Sequence, residues 1–256
     1  MFQQNLFQGK VALVTGGGSG IGFAIAQQLL QLGATVIISS RKEERLKAAV
    51  EKLSAFGKVR YTVLDIREAE QIEQLAQNIK ATEGQLDILI NNAGGQFPSP
   101  VEDISFKGWN AVINNNLNGT FYVTQTMAKH FFIPKKEGSV VNIIANIFRG
   151  FPGMSHTGAA RAGVENLTMS LAVEWSRYNI QVNAVAPGVI KSTGLEQYPP
   201  DFLAGIESAI PAKRLGTLDE VAYITLFLCS PMARFITGET VYVDGGQRLW
   251  GDIWKM

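Results

Sequence analysis

The chain has 256 residues, and 23 Lys+Arg against 22 Asp+Glu give a formal net charge of +1, too balanced for a nucleic-acid or acidic-membrane surface. Apolar residues make up 46% and charged residues 18%, which excludes a disordered chain and allows a large core. A single cysteine, Cys229, excludes an internal disulfide, and no apolar run approaches the ~18 residues of a membrane span.

Taken in chain order, the opening MFQQNLFQGK lacks the basic-then-apolar layout of a secretory leader. Val11–Thr15 then predicts a strand, followed by a glycine-rich turn and a helix over Gly20–Leu32. Thr35–Ser39 predicts a second strand and Glu43–Ala55 a helix, in which Leu46, Ala49, Val50 and Leu53 fall at helical spacing. Strand Val59–Leu64 precedes helix Ala69–Thr82, and strand Ile88–Asn91 precedes a long helical stretch, Gly108–Phe132. Strand Val140–Ile144, helix Thr157–Arg177, strand Gln181–Val185, helix Asp219–Cys229 and strand Thr240–Val243 complete the series. The strands are near-continuous apolar runs, as strands covered on both faces should be. Alternating β and α elements predict the α/β class: one Rossmann-type, doubly wound parallel sheet of about seven strands with helices on both faces. No linker and no repeat divides the chain, so 1–256 is expected to be a single domain. The irregular stretch 191–213 follows the sixth strand at the sheet's carboxyl edge and predicts a substrate lid. Cys229, inside LFLC, is expected in the core.

Directly after the first strand comes Thr15-Gly16-Gly17-Gly18-Ser19-Gly20-Ile21-Gly22, and then a helix. Glycines tighten such a turn and admit a pyrophosphate to backbone, while the helix N-terminus offers free N–H groups. The spacing is G-x-x-x-G-x-G, and a strand-to-helix turn of this kind can also be merely a turn. Asp65 ends the third strand, where a carboxylate can accept from an adenine amino group. Asn91-Asn92-Ala93-Gly94 ends the fourth, and Pro187-Gly188-Val189-Ile190-Lys191-Ser192 follows the sixth.

With these motifs, the Asn116-Leu117-Asn118-Gly119 segment and the terminal VDGG in order, the sequence resembles the short-chain dehydrogenase/reductase family over essentially its whole length. The resemblance implies that Gly16, Ser19, Gly20, Ile21 and Gly22 line the pyrophosphate and nicotinamide side. It puts Asp65 and Ile66 at adenine, Asn92 with Ala93 and Gly94 near the ribose, and Ile190 and Ser192 at the carboxamide. In NAD enzymes an acidic residue ~20 positions beyond the glycines binds the ribose 2′-hydroxyl. Here that place is Ser40, followed by Arg41 and Lys42, so nothing repels a 2′-phosphate and Arg41 offers a fork that fits one. The expected cofactor is therefore NADPH; the alternative is a solvated helix start whose cations Glu43 and Glu44 balance.

The family's active site is an Asn, a Ser, and a Tyr and Lys four residues apart on one helix. Asn116 matches the Asn, but Ala145 stands at the serine's place, Thr157 at the tyrosine's and Arg161 at the lysine's. A threonine hydroxyl is a poor acid and arginine cannot relay a proton, so ordinary ketone reduction should be crippled. Reduction of a conjugated C=C is less demanding, because fixed donors can hold an enolate on a thioester oxygen. The departures, with the 91–97, 142–144, 156–164 and 210–214 segments, resemble the family's enoyl-CoA reductases: the peroxisomal trans-2-enoyl-CoA reductase and, more distantly, the 2,4-dienoyl-CoA reductases. That implies an acyl-CoA substrate, NADPH, and Asn116, Thr157 and Arg161 as the catalytic set. The peroxisomal enzyme has a tyrosine one turn past the arginine, where this chain has Glu165, expected to pair with Arg161 at i,i+4 or to donate a proton.

Among the remaining residues, His156 has no partners at metal-ligand spacing, so no metal is expected. His130 is read as a capping surface residue, and Lys191, Lys213 and Arg214 as loop charges or contacts to CoA phosphates. The resemblance implies a homotetramer or homodimer, pairing through the two long helices. Two other readings stay open: a ketone or alcohol oxidoreductase working through water and Thr157, and a non-catalytic nucleotide-binding protein. The terminal Trp254-Lys255-Met256 is not an SKL-type address, so the expected location is cytoplasmic.

Overall fold

Seven parallel strands form one sheet in the order β3-β2-β1-β4-β5-β6-β7. The computed structural model describes residues 2–192, 195 and 205–249, so the middle of the expected lid (193–194 and 196–204) lies outside the described residues. The strands are β1 (Val11–Thr15), β2 (Thr35–Ser40), β3 (Val59–Val63), β4 (Ile88–Asn91), β5 (Gly138–Ile143), β6 (Ile180–Pro187) and β7 (Thr240–Val243). Helices α1 (Gly20–Gln31), α2 (Glu43–Leu53) and α3 (Ala69–Thr82) alternate with the first four strands. After β4 come α4 (Phe106–Ile113), α5 (Gly119–Met127) and the short α6 (Ile133–Lys135). Helix α7 (Ser155–Trp175) joins β5 to β6, and α8 (Ile206–Ala209) and α9 (Leu218–Cys229) lie between β6 and β7.

Strands β1, β2, β4, β5 and β6 are buried on both faces, whereas the edge strands β3 and β7 are half-buried, contrary to the expectation for all seven. Ala12, Val14, Val36 and Ile38 pack with α1, α2 and α9 on one side. Their neighbours Leu13 and Ile37 pack with α3, α5 and α7 on the other. Helix α9 starts on a capping box, in which Thr217 and Glu220 bond each other's backbone N–H. The Arg214 fork also grips Glu220, at 2.6 and 2.9 Å, and holds that carboxyl down at about 2. Cys229 is half-buried against the core, and burial pushes its thiol up to about 12, so it is an inert packing residue at neutral pH.

The helical stretch expected over Gly108–Phe132 is continuous from 106 to 135 and carries π turns at Asn114–Asn118 and Ala128–Phe132 that divide it into α4, α5 and α6. At the first π turn, side chains take two of the carbonyls: Asn116 Nδ2 donates to Val112 O at 3.1 Å, and Thr120 Oγ1 to Asn116 O at 2.9 Å. His130 lies in the second turn, where it bonds Glu73 of α3 across the helix packing instead of capping an end.

Because β1 neighbours both β2 and β4, the winding direction reverses between β1 and β4. The crevice at the carboxyl ends of these two strands is where such sheets hold ligands.

Candidate active site

A cleft of about 280 Å³ opens at this crevice, and ten of the residues expected at the cofactor line it. Gly16 and Ser19 come from the first turn; Ser40, Arg41 and Lys42 follow β2; Asp65 and Ile66 follow β3; Asn92, Ala93 and Gly94 follow β4. Gly20, Ile21 and Gly22 form the first residues of α1. Gly16 and Gly20 adopt φ of +66° and +56°, where glycine is favoured. A Cβ on Gly22 would stand 2.5 Å from both the Gly16 carbonyl and Asn92 Nδ2. Asn92 in turn donates to the carbonyls of Thr15 and Gly16, at 3.0 and 3.2 Å, and so staples the turn to the end of β4. No side chain caps α1 and no acidic residue occupies its first turn, which leaves its N–H groups and positive dipole end open to an anion. Ile190 and Ser192 are not in the lining of this cleft; they follow β6, where Ile190 is buried and bridges to Gly216.

Arg41, Lys42 and Arg45 stand together in the wall. Glu43 and Glu44, which might have balanced them, are taken by Lys47 at 3.4 and 3.1 Å. Among the described residues the three cleft cations make no salt bridge. Arg45 is absent from the sequence reading, although it lies one helical turn beyond Arg41. Its stem would meet a Cβ on Gly18 at 3.3 Å. Leu64 and Asn115 also line the cleft without having been expected there. Asp65 is less free than expected, for Arg67 donates to Oδ1 through its backbone N–H (3.1 Å) and its Nε (2.8 Å), and its fork also engages Oδ2. That hydrogen bonding holds the Asp65 carboxyl below its usual range. One lone pair on Oδ2 remains for an amino donor.

The three candidate catalytic residues are all buried: Asn116 and Thr157 have no exposed surface and Arg161 is 8% exposed. Asn116 is sewn to the segment after β4, donating to Gly95 O at 2.7 Å and accepting from Gly95 N at 3.1 Å. Arg161 reaches from α7 to Ile143 O at 3.1 Å. A Cβ on Gly94 would collide with both, at 2.3 Å from Arg161 Nη2 and 2.6 Å from Asn116 Oδ1, so the glycine makes room for the pair. Burial alone pushes Arg161 down to about 10, which leaves it charged at neutral pH. The expected pairing of Arg161 with Glu165 does not form. Glu165 points to β7, where it accepts from the Tyr242 hydroxyl at 3.4 Å. Thr157 faces its own neighbour, with Oγ1 3.4 Å from His156 Nδ1. Ala145 is half-buried just beyond β5. Of the loop cations, Arg214 is held by Glu220 and Lys213 donates to Ser208 O at 2.7 Å.

Behind these residues runs a continuous polar chain. Thr124 Oγ1 donates to Thr120 O, and Asn91 Nδ2 donates both to Thr124 Oγ1 (2.7 Å) and to Asn142 Oδ1 (2.8 Å). Asn142 Nδ2 donates to Thr168 Oγ1 (2.9 Å), which donates to Val164 O. With the Thr120–Asn116 bond, this chain links the π turn, two central strands and α7.

The described residues contain no group of His, Cys, Asp and Glu able to hold a metal, and no helix among them is long and apolar enough to cross a membrane.

Residues 16–248 match the family model described as enoyl-(acyl carrier protein) reductase. The chain is 39% identical to the peroxisomal 2,4-dienoyl-CoA reductase of Rattus norvegicus over 254 residues, 96% of this chain and 86% of the relative. It is 38% identical to the 3-oxoacyl-[acyl-carrier-protein] reductase FabG of Thermotoga maritima over 93% of this chain and 98% of that one. The solved structure of the citronellol catabolism dehydrogenase AtuB from Pseudomonas aeruginosa PAO1 superposes with a TM-score of 0.88 at 41% identity, covering 97% and 98% of the two chains. Fold, glycine turn and full-length similarity agree: the chain belongs to the short-chain dehydrogenase/reductase family, whose oxidoreductases use a nicotinamide cofactor.

Proposed function

We propose that the protein reduces the C2=C3 double bond of a trans-2-enoyl-CoA with NADPH. The observation that carries this reading is the buried, charged Arg161 beside Asn116, with Thr157 and Ala145 where a carbonyl-reducing member would have its acid and its serine. NADPH would supply the hydride to C3. The residues present fit it: the turn at Gly16–Gly22 excludes side-chain bulk, the α1 N-terminus is uncapped, and Ser40, Arg41, Lys42 and Arg45 suit a 2′-phosphate. Arg161 can grip ribose hydroxyls with its fork, and its charge favours an enolate over a neutral ketone-derived alcohol. Gly94 leaves room for that cation, and Ile143 O accepts a hydrogen bond from it. The relatives named 2,4-dienoyl-CoA reductases favour a conjugated thioester, so a 2,4-dienoyl-CoA belongs among the substrates tried. FabG among the relatives keeps 3-oxoacyl reduction as the competing reading. A homotetramer or homodimer in the cytoplasm completes the proposal.

Oxidation of NADPH, followed by absorbance, is expected with crotonyl-CoA and longer 2-enoyl-CoAs and to be far slower with acetoacetyl-CoA. The reverse order of rates would assign the protein to ketone chemistry, and tight NADPH binding without turnover on either would make it a nucleotide-binding protein.

The cofactor choice is tested separately. NADPH is expected to bind at least ~10-fold tighter than NADH, about 1.4 kcal/mol, and Arg41→Asp to reverse the order. Fluorescence titration reads both, and equal affinities in the unaltered protein would remove the 2′-phosphate argument.

A further inference from the structure

Buried polar atoms are nearly always hydrogen-bonded, so those that are not point to a missing partner. Three such atoms lie in the first two turns of α7: Ser155 Oγ, His156 Nε2 and Arg161 Nε. Of these residues, His156 is the one with no exposed surface at all. Its tautomer follows from its contacts. The Thr157 backbone N–H, shared with Met154 O at 2.9 Å, donates to His156 Nδ1 at 2.9 Å; with Nδ1 accepting, the ring's proton sits on Nε2. That N–H is a donor with nothing to receive it.

The ring is covered by Phe97, whose own ring lies 4.5 Å away at 86° and is 38% exposed. Phe97 sits two residues beyond Gly95, the residue that Asn116 holds. The orphaned donor and the tyrosine position at Thr157 therefore adjoin one partly exposed aromatic side chain, which lies two residues along the chain from the Asn116 clamp at Gly95.

We propose that the Nε2–H of His156 is the hydrogen-bond donor for the carbonyl oxygen of the substrate thioester, uncovered when the acyl group displaces Phe97. This rests on the conjugated-thioester reading above and supplies what that reading needs: a fixed donor where Thr157 cannot serve. No proton is transferred. The bond strengthens as negative charge gathers on the oxygen, as in other oxyanion sites.

The chain holds two histidines, so labelling with 15N-histidine gives two imidazoles, and His130→Asn assigns them. On adding crotonyl-CoA or the saturated butyryl-CoA to the protein with NADP⁺, the His156 Nε2–H resonance is expected to move downfield. His156→Asn keeps an acceptor for the Thr157 amide and loses the donor; it is expected to lower kcat about 100-fold with NADPH affinity unchanged. His156→Gln, which returns an N–H near the Nε2 position, is expected to recover most of that loss. A resonance that neither thioester moves overturns the proposal, even if crotonyl-CoA is reduced and even if the Asn variant fails to fold. An Asn variant as fast as the parent overturns it too. If thioesters move the resonance but only acetoacetyl-CoA is reduced, the donor role stands and the enoyl reading falls.

Discussion

Arg161→Met is expected to abolish turnover and, at the same time, to raise the melting temperature. The guanidinium is 8% exposed, and its one recorded hydrogen bond goes to Ile143 O at 3.1 Å. Burial pulls its pKa well below the ordinary guanidinium range, to about 10, a displacement equivalent to about 3 kcal/mol of folding free energy lost to burying the charge. That loss is in full force below pH 10, where folded and unfolded chains both hold the proton. It fades as pH rises above about 10, because the unfolded chain then binds more protons than the folded one. Methionine fills similar space without charge and forgoes a charge-assisted hydrogen bond worth about 1.5 kcal/mol or more, so the net gain is at most about 1.5 kcal/mol. For a chain of this size that corresponds to at most roughly 3–6 °C. Activity should go the other way, since NADPH binding loses its buried fork and the enolate its nearest fixed charge. Calorimetry, NADPH titration and the crotonyl-CoA assay read the three effects. Unchanged affinity and kcat would make Arg161 a packing residue only.

The triple change Ala145→Ser, Thr157→Tyr and Arg161→Lys is expected to create or raise ketone reduction. A positioned acid contributes ~100- to 10,000-fold, so even an imperfectly placed phenol should give a measurable gain on acetoacetyl-CoA. The single changes should do little, because hydroxyl and cation act as a unit. Enoyl-CoA reduction should fall. Thr157 has no exposed surface and its hydroxyl already lies against His156, so a phenol there must push the imidazole and the Phe97 ring aside. Rates of parent and variants on both substrates, each checked for NADPH binding, decide the matter. A parent already as fast on the ketone would show that these replacements do not divert the chemistry.

The inner strands were legible because burial on both faces writes them as apolar runs, and the half-buried edge strands β3 and β7 because they are short and rich in β-branched and aromatic residues; β1, β4 and β7 have the bounds expected from the residues alone. The π turns were not, since they depend on Asn116 finding Gly95 across the crevice and on Thr120 bonding back, contacts that no periodicity announces. The glycine turn and Ser40–Lys42 were readable from spacing, and Arg45 would have been too, one turn beyond Arg41 on an amphipathic helix. The fates of Asp65 and Glu165 were hidden for different reasons. Arg67 is a sequence neighbour whose fork could have gone elsewhere, and Tyr242 arrives from a strand 77 positions away.

The polar chain from Asn116 through Asn91 and Asn142 to Thr168 has a mechanical consequence. Greasy surfaces slide: a leucine shifted by half an ångström against another gives up little. Donors and acceptors do not, because a stretched bond between buried groups leaves both unsatisfied. The stretch between the π turn and α7 is therefore indexed like teeth in a rack. Asn116 sits at one end of that rack and Val164, three residues past Arg161 on α7, at the other, so the spacing of the two elements that carry Asn116 and Arg161 is insulated from repacking elsewhere. Loops around the crevice can therefore change length and composition, and with them the acyl group admitted, while the reacting geometry stays put.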